Sequence, residues 1–404
     1  MHILLFYQYY HNPDCAASGR HYQFVKALSK NHRISIITSD VWQKKRQAHN
    51  FEWAPPGVEV HHLSIPYDNA MGNRARLKAY ASYMWQAIHA GLKIERPDVI
   101  IGSSTPLTAA WAAAKVAQIR RIPWIFEVRD LWPDFPIQMG AIKNGWLRNR
   151  LYKMEHNLYK SASHNIPLSP DMASHILERG INPANVTTLM NGTDLQFADA
   201  VSEAGVTSLM ASHGLSGKKI VLYAGTLGRA NAIPLILETS RRLAGRPDIH
   251  FVLMGSGFFQ RDIEEAAEKQ SNLSIIAPAP RNRVFEWFRA ASVSLVSFIN
   301  LPVLATNSPA KFFDSLAVGT PVIVTNPGWT KSFVEQHACG WYASGEEPDA
   351  LVRCIEGVID DPELLQHAGK NGSIIATQLF DRSKMASQLE SILRQSAFPK
   401  GKSH

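Results

Sequence analysis

The sequence predicts an α/β fold, two doubly wound parallel-sheet lobes. Three observations carry this. Short apolar runs alternate with longer helical patterns, as sheets wound with helices require. The rhythm occurs twice, on either side of the turn signal Asn191-Gly192-Thr193-Asp194. A chain of 404 residues also exceeds what one ordinary core organises.

In the first half, strands are expected at the apolar runs His2–Tyr7, Arg33–Thr38, Glu59–Leu63, Val99–Gly102, Trp124–Val128 and Asn165–Leu168. Helical patterns fill the intervals at Ser18–Lys30, Arg74–Ile94, Leu107–Arg120 and Trp146–Ser161. After the turn signal, Gln196–Gly217 is polar and weakly patterned, and reads as a linker. Lys218-Lys219 then opens a fresh strand, Lys219–Ala224. Further strands are expected at His250–Met254, Leu273–Ile276, Val293–Val296 and Pro321–Thr325. Helices are expected at Ile233–Ala244, Arg261–Gln270, Arg283–Ala290 and Lys311–Val318, with more after Asp349. The last helix, Phe380–Gln395, is a candidate to cross back to the first lobe.

Composition narrows the function classes. With 45% apolar and 19% charged residues the chain folds, and its net charge of +8 suits phosphorylated substrates, anionic lipid or nucleic acid. The sole basic run is Lys44-Lys45-Arg46 and no zinc-finger or RNA-binding signature is present, so no nucleic-acid partner is expected. Cys15, Cys339 and Cys354 cannot all pair and match no metal spacing, which fits a reducing cytoplasm. Met1–Tyr10 lacks a basic flank and a small-residue cleavage site, so it reads as a strand, not a leader. Ala290–Ala310 is long enough to span a bilayer but is broken by Asn300, Pro302, Asn307 and Pro309, so no membrane crossing is expected.

The run from Ser308 to Val324 is the most informative. It sets Lys311 and Asp314 three residues apart on one face of a short helix that stops at Gly319 and re-enters a strand. Such a polar face at the mouth of an α/β sheet holds phosphate and ribose oxygens, although a surface ion pair has the same spacing. Gly225-Thr226-Leu227-Gly228-Arg229 follows a strand and opens a helix. Glycines there let a backbone approach phosphate, and a plain strand–helix turn would look alike. Gly255-Ser256-Gly257 is satisfied by a tight turn. Near the N-terminus, Ser18 is a helix N-cap candidate and Gly19 a point of close backbone approach. Arg20 and His21 are anion contacts or a solvated helix start. Glu127-Val128-Arg129-Asp130 ends a strand, its Arg–Asp pair either in a site or bracing the loop Leu131–Met139.

In their order and spacing these pieces resemble the GT-B fold retaining glycosyltransferases of glycosyltransferase family four. They are Pro13–Gly19, Val128–Asp134, Asn191–Asp194, Tyr223–Gly228, Met254–Gly257 and Lys311–Pro321, and they span nearly the whole chain. The branch they resemble acts in bacterial surface-polysaccharide assembly, as amino-deoxysugar transferases of O-antigen and capsule. The resemblance implies two Rossmann-like domains facing across a cleft. Residues 1–195 would bind the acceptor, 196–217 link, and 218–379 bind the nucleotide sugar, with 380–404 the helix that crosses back.

Site roles follow from the same resemblance. Asp314 would accept the ribose hydroxyls and Lys311 contact the diphosphate. The first of the family's two acidic positions falls at Thr306, which has no carboxylate, so Asn307, Ser308 and neighbouring amides would hold the donor sugar. Thr226 and Asn231 stand where the family often has a cation, and Arg229 would substitute, with Gly225 and Gly255 close to the phosphates. Ala279–Arg283 would line the base pocket. Arg129 occupies the family's histidine position, and Asp130 would orient the acceptor hydroxyl or anchor Arg129. Gly19 would approach the reacting carbon, completing a catalytic set of Asp130, Arg129 and Gly19, while Arg20 and His21 would contact the acceptor.

The implied reaction is a retaining transfer without metal or cofactor, its co-substrate a nucleoside-diphosphate sugar, UDP favoured. The sequence carries no Asp-x-Asp, and Asp360-Asp361 lies in a helical turn. The implied acceptor is a polyprenyl-diphosphate-linked saccharide. Arg74–Trp85 and Ile142–Lys153 join basic residues to Trp, Tyr and Met, a composition that rests on an anionic membrane surface or serves as an ordinary core-facing helix. The expected place is cytoplasmic, peripheral on the inner face of the plasma membrane. The rival readings are a nucleotide-sugar 2-epimerase, which wants more carboxylates and histidines, and a non-catalytic sugar-nucleotide-binding subunit, which the residues at Thr306 and Arg129 would suit. An NAD oxidoreductase lacks its Gly-x-Gly-x-x-Gly after the first strand.

Overall fold

The computed structural model describes residues 1–10, 19–40, 54–66 and 71–398. Pro13–Ser18, Cys15 and Lys44-Lys45-Arg46 lie outside the described residues, and with them the Ser18 N-cap. The chain forms two compact units, one built from the residues up to Met190 with those from Ser383 onward, the other from Asn191–Arg382.

The first unit is a parallel sheet of β1 (His2–Phe6), β2 (Arg33–Ser39), β3 (Val58–Leu63), β4 (Val99–Ser103), β5 (Trp124–Val128) and β6 (His164–Pro167), in the order β3-β2-β1-β4-β5-β6. The second contains β7 (Lys219–Ala224), β8 (Ile249–Met254), β9 (Leu273–Ile276), β10 (Val293–Val296), β11 (Val322–Val324) and β12 (Gly340–Tyr342), in the order β12-β11-β10-β7-β8-β9. Counted from its own first strand, each sheet reads 3-2-1-4-5-6, so the order reverses beside β1 and beside β7. Ligands of doubly wound sheets lie at the carboxyl ends of the strands at such a reversal. Strands buried on both faces need continuous apolar runs. β1 and β8 are buried along their whole length, as helices on both faces dictate.

Two expectations are corrected. The stretch read as a linker is helical at Leu195–Asp199 and Glu203–Ser212, and belongs to the second unit. Leu209 and Leu215 are buried with Phe285, Trp287 and Phe288. The few large apolar residues of this stretch are too widely spaced to announce an amphipathic face, yet each finds a core position. The chain therefore passes between units at Met190–Asn191, not across a polar linker. The second correction concerns elements too short to pattern: β12, the helix Asp134–Gln138 and the helices Pro170–Glu178 and Trp329–His337 carry little sequence signal.

The C-terminal helix Arg382–Ala397 buries Met385, Ala386, Leu389, Ile392 and Leu393 against Ile3, Leu5, Phe24 and Leu28 of the first unit. Fully burying each such side chain contributes about 1.5–3 kcal/mol. Before the return, Thr193 N–H donates to the Phe380 carbonyl at 2.8 Å and Arg382 N–H to the Thr193 carbonyl at 3.1 Å, so the second unit's two ends are stitched together.

Candidate functional site

In the second unit the chemistry gathers at the carboxyl ends of β7 and β8. Two glycine turns lie there, backbone against backbone. Gly225 has φ +146° and Gly255 φ +151°, and a Cβ on Gly255 would sit 1.9 Å from the Gly225 carbonyl oxygen. Only glycine allows that approach. Gly225 N–H donates to the Met254 carbonyl at 2.9 Å and Leu227 N–H to the Ser256 carbonyl at 3.0 Å. Thr226 is exposed, and its carbonyl accepts the Tyr223 hydroxyl at 2.7 Å.

Lys311 reaches this loop from the helix Ala310–Ala317, which an aromatic cluster of Phe312, Phe313, Trp329 and Phe380 fixes in place. Its Nζ lies 3.6 Å from the centre of the Tyr223 ring and 5.9 Å from that of Phe298. A Cβ on Gly225 would come within 3.2 Å of it. The Nζ is shielded from solvent and, among the described residues, has no hydrogen-bond partner. Burial alone pushes its pKa down to about 7. A desolvated ammonium beside a glycine loop is a point whose charge an anion would offset.

Asp314, one turn on, is arranged differently. It is buried, and its Oδ1 accepts Thr193 Oγ1 at 2.8 Å and Arg281 Nη2 at 3.1 Å. Arg281 also faces Asp194 at 3.4 Å, and Asp194 accepts Arg382 Nη1 at 2.6 Å. The surface-pair alternative is thus excluded: Asp314 anchors a buried chain of alternating charges that ties its helix to both ends of the unit. Arg281 falls in the stretch assigned to a base pocket, but its guanidinium serves this chain, and the two carboxylates hold its pKa above the ordinary range despite burial.

The other donor candidates scatter. Ser308 is buried, its Oγ accepting Asn191 N–H at 3.4 Å and its carbonyl accepting Asn191 Nδ2 at 2.9 Å. The Asn307 carbonyl accepts Trp329 Nε1 at 2.7 Å, and Thr306 Oγ1 donates to the Val303 carbonyl at 2.8 Å. Arg229 is exposed, its guanidinium 3.9 Å above the Phe258 ring. The structure brings Lys311, Gly225, Thr226 and Gly255 together, and engages the side chains of Asp314, Ser308 and Thr306 with neighbouring protein groups.

In the first unit the candidates meet at the carboxyl ends of β1 and β5, joined by a residue that sequence reasoning quoted without assigning. Glu127, buried on β5, accepts Arg20 Nε at 2.9 Å and His21 Nε2 at 2.6 Å. His21 Nδ1 is 2.7 Å from Arg129 Nη1, so the ring accepts there, donates to Glu127 and stays neutral. Burial pushes its pKa down to about 4. His21 stacks on Tyr7 at 3.8 Å, and the Arg129 guanidinium lies 5.2 Å from the Tyr7 ring centre. The surrounding cations hold the Glu127 carboxyl well below its ordinary range in spite of its burial. The solvated helix start is excluded, since Arg20 and His21 are both buried and both contact the Glu127 carboxylate.

Asp130 does not pair with Arg129 as expected. Its Oδ2 accepts Thr105 Oγ1 at 3.0 Å, while Ser104 Oγ holds the Arg129 and Asp130 amides at 2.9 and 3.3 Å. Burial raises its pKa above the ordinary carboxylate range. Gly19 precedes the helix Arg20–Leu28 with φ −178°, extended backbone open to any residue, so no left-handed turn demands glycine there.

Among the described residues one group has metal-ligand proximity: Asp134, Glu155 and His175. The Arg179 guanidinium lies 3.7 Å from Glu155 Oε2 and 3.9 Å from Asp134 Oδ2, so both carboxylates already face a cation. Tyr159 donates to Glu155 at 3.0 Å and Tyr152 to Asp134 at 2.7 Å. The two carboxylates share one guanidinium, and a metal ion there would meet that cation.

Of the two basic segments, the helix Asn73–Lys93 turns Tyr80 and Tyr83 into the core, against the interfacial role expected of its tyrosines. Trp85 stays 63% exposed and Trp146 68%, with Arg150 5.0 Å from the Trp146 ring centre. No helix among the described residues is long and apolar enough to cross a membrane.

Residues 20–192 match the family model of the glycosyl transferase 4-like domain, and residues 207–374 that of the glycosyl transferases group 1. Among curated proteins, the chain is 24% identical to an alpha-D-kanosaminyltransferase of Streptomyces kanamyceticus over 50% of this chain and 52% of that one. It is 22% identical to glycosyl transferase WcaI of Escherichia coli K12, named for colanic acid biosynthesis, over 65% and 66%. It therefore spans about half to two thirds of the length of the curated relatives it matches. Among solved structures, a sucrose-phosphate synthase of Thermosynechococcus elongatus superposes with a TM-score of 0.76 at 18% identity over 98% of both chains. Anabaena HepE in complex with UDP-glucose superposes at 0.73 with 16% identity, over 98% of this chain and 100% of that one. At such identities the likeness is one of fold.

Proposed function

We infer the reaction from one premise: this chain belongs to the GT-B glycosyltransferase family. It transfers a sugar, an N-acetylated amino-deoxysugar in the reading its sequence favours, from a nucleoside-diphosphate sugar, with UDP the preferred carrier. The anomeric configuration is retained. The acceptor is a polyprenyl-diphosphate-linked saccharide of bacterial surface polysaccharide, reached at the inner face of the plasma membrane. The observation that carries the donor half is Lys311, a desolvated ammonium with no hydrogen-bond partner among the described residues, beside the Gly225 loop at the carboxyl end of β7. A diphosphate supplies the charge this point lacks. Support for the carrier comes from the UDP-glucose complex of HepE, and for the pathway class from the name of WcaI. Exposed Trp85 and Trp146 with their basic neighbours support the membrane contact.

Within this reading, fixed groups meet the charge that leaves with the diphosphate, namely the Lys311 ammonium and the backbone of the Gly225 turn. Arg129, oriented by His21 and Tyr7, is the fixed cation of the first unit. Asp130, inclined by burial to keep a proton longer than an ordinary carboxylate, would exchange one with an acceptor hydroxyl in this reading.

Calorimetry with UDP, GDP, ADP, CMP and dTDP tests the donor half. One nucleotide is expected to bind, with affinity lost in Lys311→Ala. Asp314→Ala is the poorer test, because it breaks the buried charge chain. Binding of no nucleotide, or affinity unchanged in Lys311→Ala, overturns the assignment.

A further inference from the structure

Tyr223 is the last large side chain of β7 and touches both halves of the anion site. Its ring lies under Lys311 Nζ at 3.6 Å, and its hydroxyl donates to the Thr226 carbonyl at 2.7 Å, inside the glycine turn. The residue is fully buried, packed with Leu227, Leu253 and Leu295. A Cβ on Gly225 would lie 3.2 Å from Lys311 Nζ and 3.7 Å from the Tyr223 hydroxyl, so lysine, phenol and turn converge within one side chain's reach.

We propose that Tyr223 is a positioning residue of the donor site, its ring face holding the Lys311 side chain as an ammonium and its hydroxyl fixing the Gly225–Leu227 turn that faces the same diphosphate.

The physical reason is the environment of the Nζ. It has left water and gained no hydrogen bond. Burial lowers its pKa. The groups packed against it are Tyr223 from β7, Phe298 after β10 and the backbone of Gly225. Tyr223 itself stays neutral, because burial raises its phenol pKa. Asp314, on the same helix as Lys311, is engaged by Thr193 and Arg281. The electron-rich ring is therefore the group that favours the charged amine before an anion arrives. Removing the ring leaves desolvation unopposed, and the ammonium form is lost at lower pH. A bound diphosphate needs that form, so affinity follows the titration.

The proposal rests on the donor reading, and the experiment separates the two. Affinity for UDP-glucose is measured by calorimetry from about pH 5.5 to 8.5, a range in which this ligand has no phosphate monoester to titrate. For the wild-type protein, affinity is expected to fall as pH rises through about 7. In Tyr223→Leu the midpoint of that fall is expected to move down by about one pH unit. Tyr223→Phe keeps the ring, so its midpoint stays put while affinity drops about two- to ten-fold at every pH as the turn loses its hydrogen bond. A role in packing alone would lower affinity without moving a midpoint. Should Tyr223→Leu fail to fold, phenylalanines of increasing fluorination at position 223 keep the shape and weaken the ring's attraction, and the midpoint is expected to fall in steps. An unmoved midpoint in these variants overturns the role of Tyr223. Failure of the wild-type protein to bind UDP-glucose and all five nucleotides named above overturns the donor reading, and the proposal falls with it.

Discussion

At the carboxyl end of β5, Arg20, His21 and Arg129 crowd around Glu127, and hydrogen bonds connect all four side chains. At the carboxyl end of β7, the Lys311 ammonium has a ring beneath it and, among the described residues, no hydrogen-bonded anion. The two sheets share one strand order, so topology does not cause the difference. What differs is whether the chain supplies its own counter-charge. A network closed on itself holds its cations in fixed orientation and contributes stability. A cation left open costs stability and keeps its binding energy for a ligand.

The largest expected effect lies in the closed network. Glu127→Ala removes the acceptor of both Arg20 and His21 and strands a buried guanidinium. A loss of about 3–5 kcal/mol of stability is expected. Chemical denaturation, followed through the environment of buried Trp124 on the same strand, reads it. A loss below about 1 kcal/mol would place this network with ordinary surface pairs and dissolve the contrast.

Titration separates the two regions by pH window, not by sign. Folded His21 is held neutral down to about 4, against an ordinary 6.5. The unfolded chain therefore takes up the proton first, and the first unit is expected to lose stability as pH falls from about 6.5 toward 4. Lys311 runs the same way in a more alkaline window. Its folded pKa is about 7 against an ordinary 10.5, so between these values the folded state binds fewer protons. The second unit is expected to gain stability as pH rises through that window. Lys311→Met removes this alkaline gain and leaves stability at neutral pH unchanged or higher, while nucleotide affinity disappears. Thermal unfolding of both proteins across pH checks it. Destabilisation by Lys311→Met comparable to that of Glu127→Ala would show that Lys311 is as much a structural cation as Arg20.

The same contrast explains what could be read from the sequence. Strands such as Trp124–Val128 and Lys219–Ala224 were legible because a doubly buried strand must be a continuous apolar run, and the structure reproduces both. Glycine turns were legible because only glycine allows their approach. Charge partners were not, since pairing is long-range: Glu127 is 107 residues from Arg20, and Asp314 121 from Thr193. One local signal existed, an ionisable residue inside an apolar strand, and Glu127 carried it. Tyr223 carried none, because a tyrosine ending a buried strand looks like core until its ring is found under an ammonium. The linker reading failed for a related reason: Leu209 and Leu215 reveal their core only where Phe285 and Trp287 come to meet them.

The smallest expected effect distinguishes two cations of the same unit. Arg229 borders the glycine turn, as Lys311 does, but is exposed, with its guanidinium on the Phe258 ring. Water and salt screen it, so Arg229→Ala should change stability by less than about 0.5 kcal/mol. Its contribution to nucleotide affinity should be about two- to five-fold at low salt and vanish toward 1 M, where the Debye length is about 3 Å. The affinity lost with Lys311 should instead persist at high salt, because its Nζ is shut off from bulk ions. Calorimetric titration of wild-type, Arg229→Ala and Lys311→Ala proteins at low and high salt measures both. If the Arg229 effect were equal to that of Lys311 and insensitive to salt, the exposed arginine would be the diphosphate's principal partner and the open ammonium a bystander.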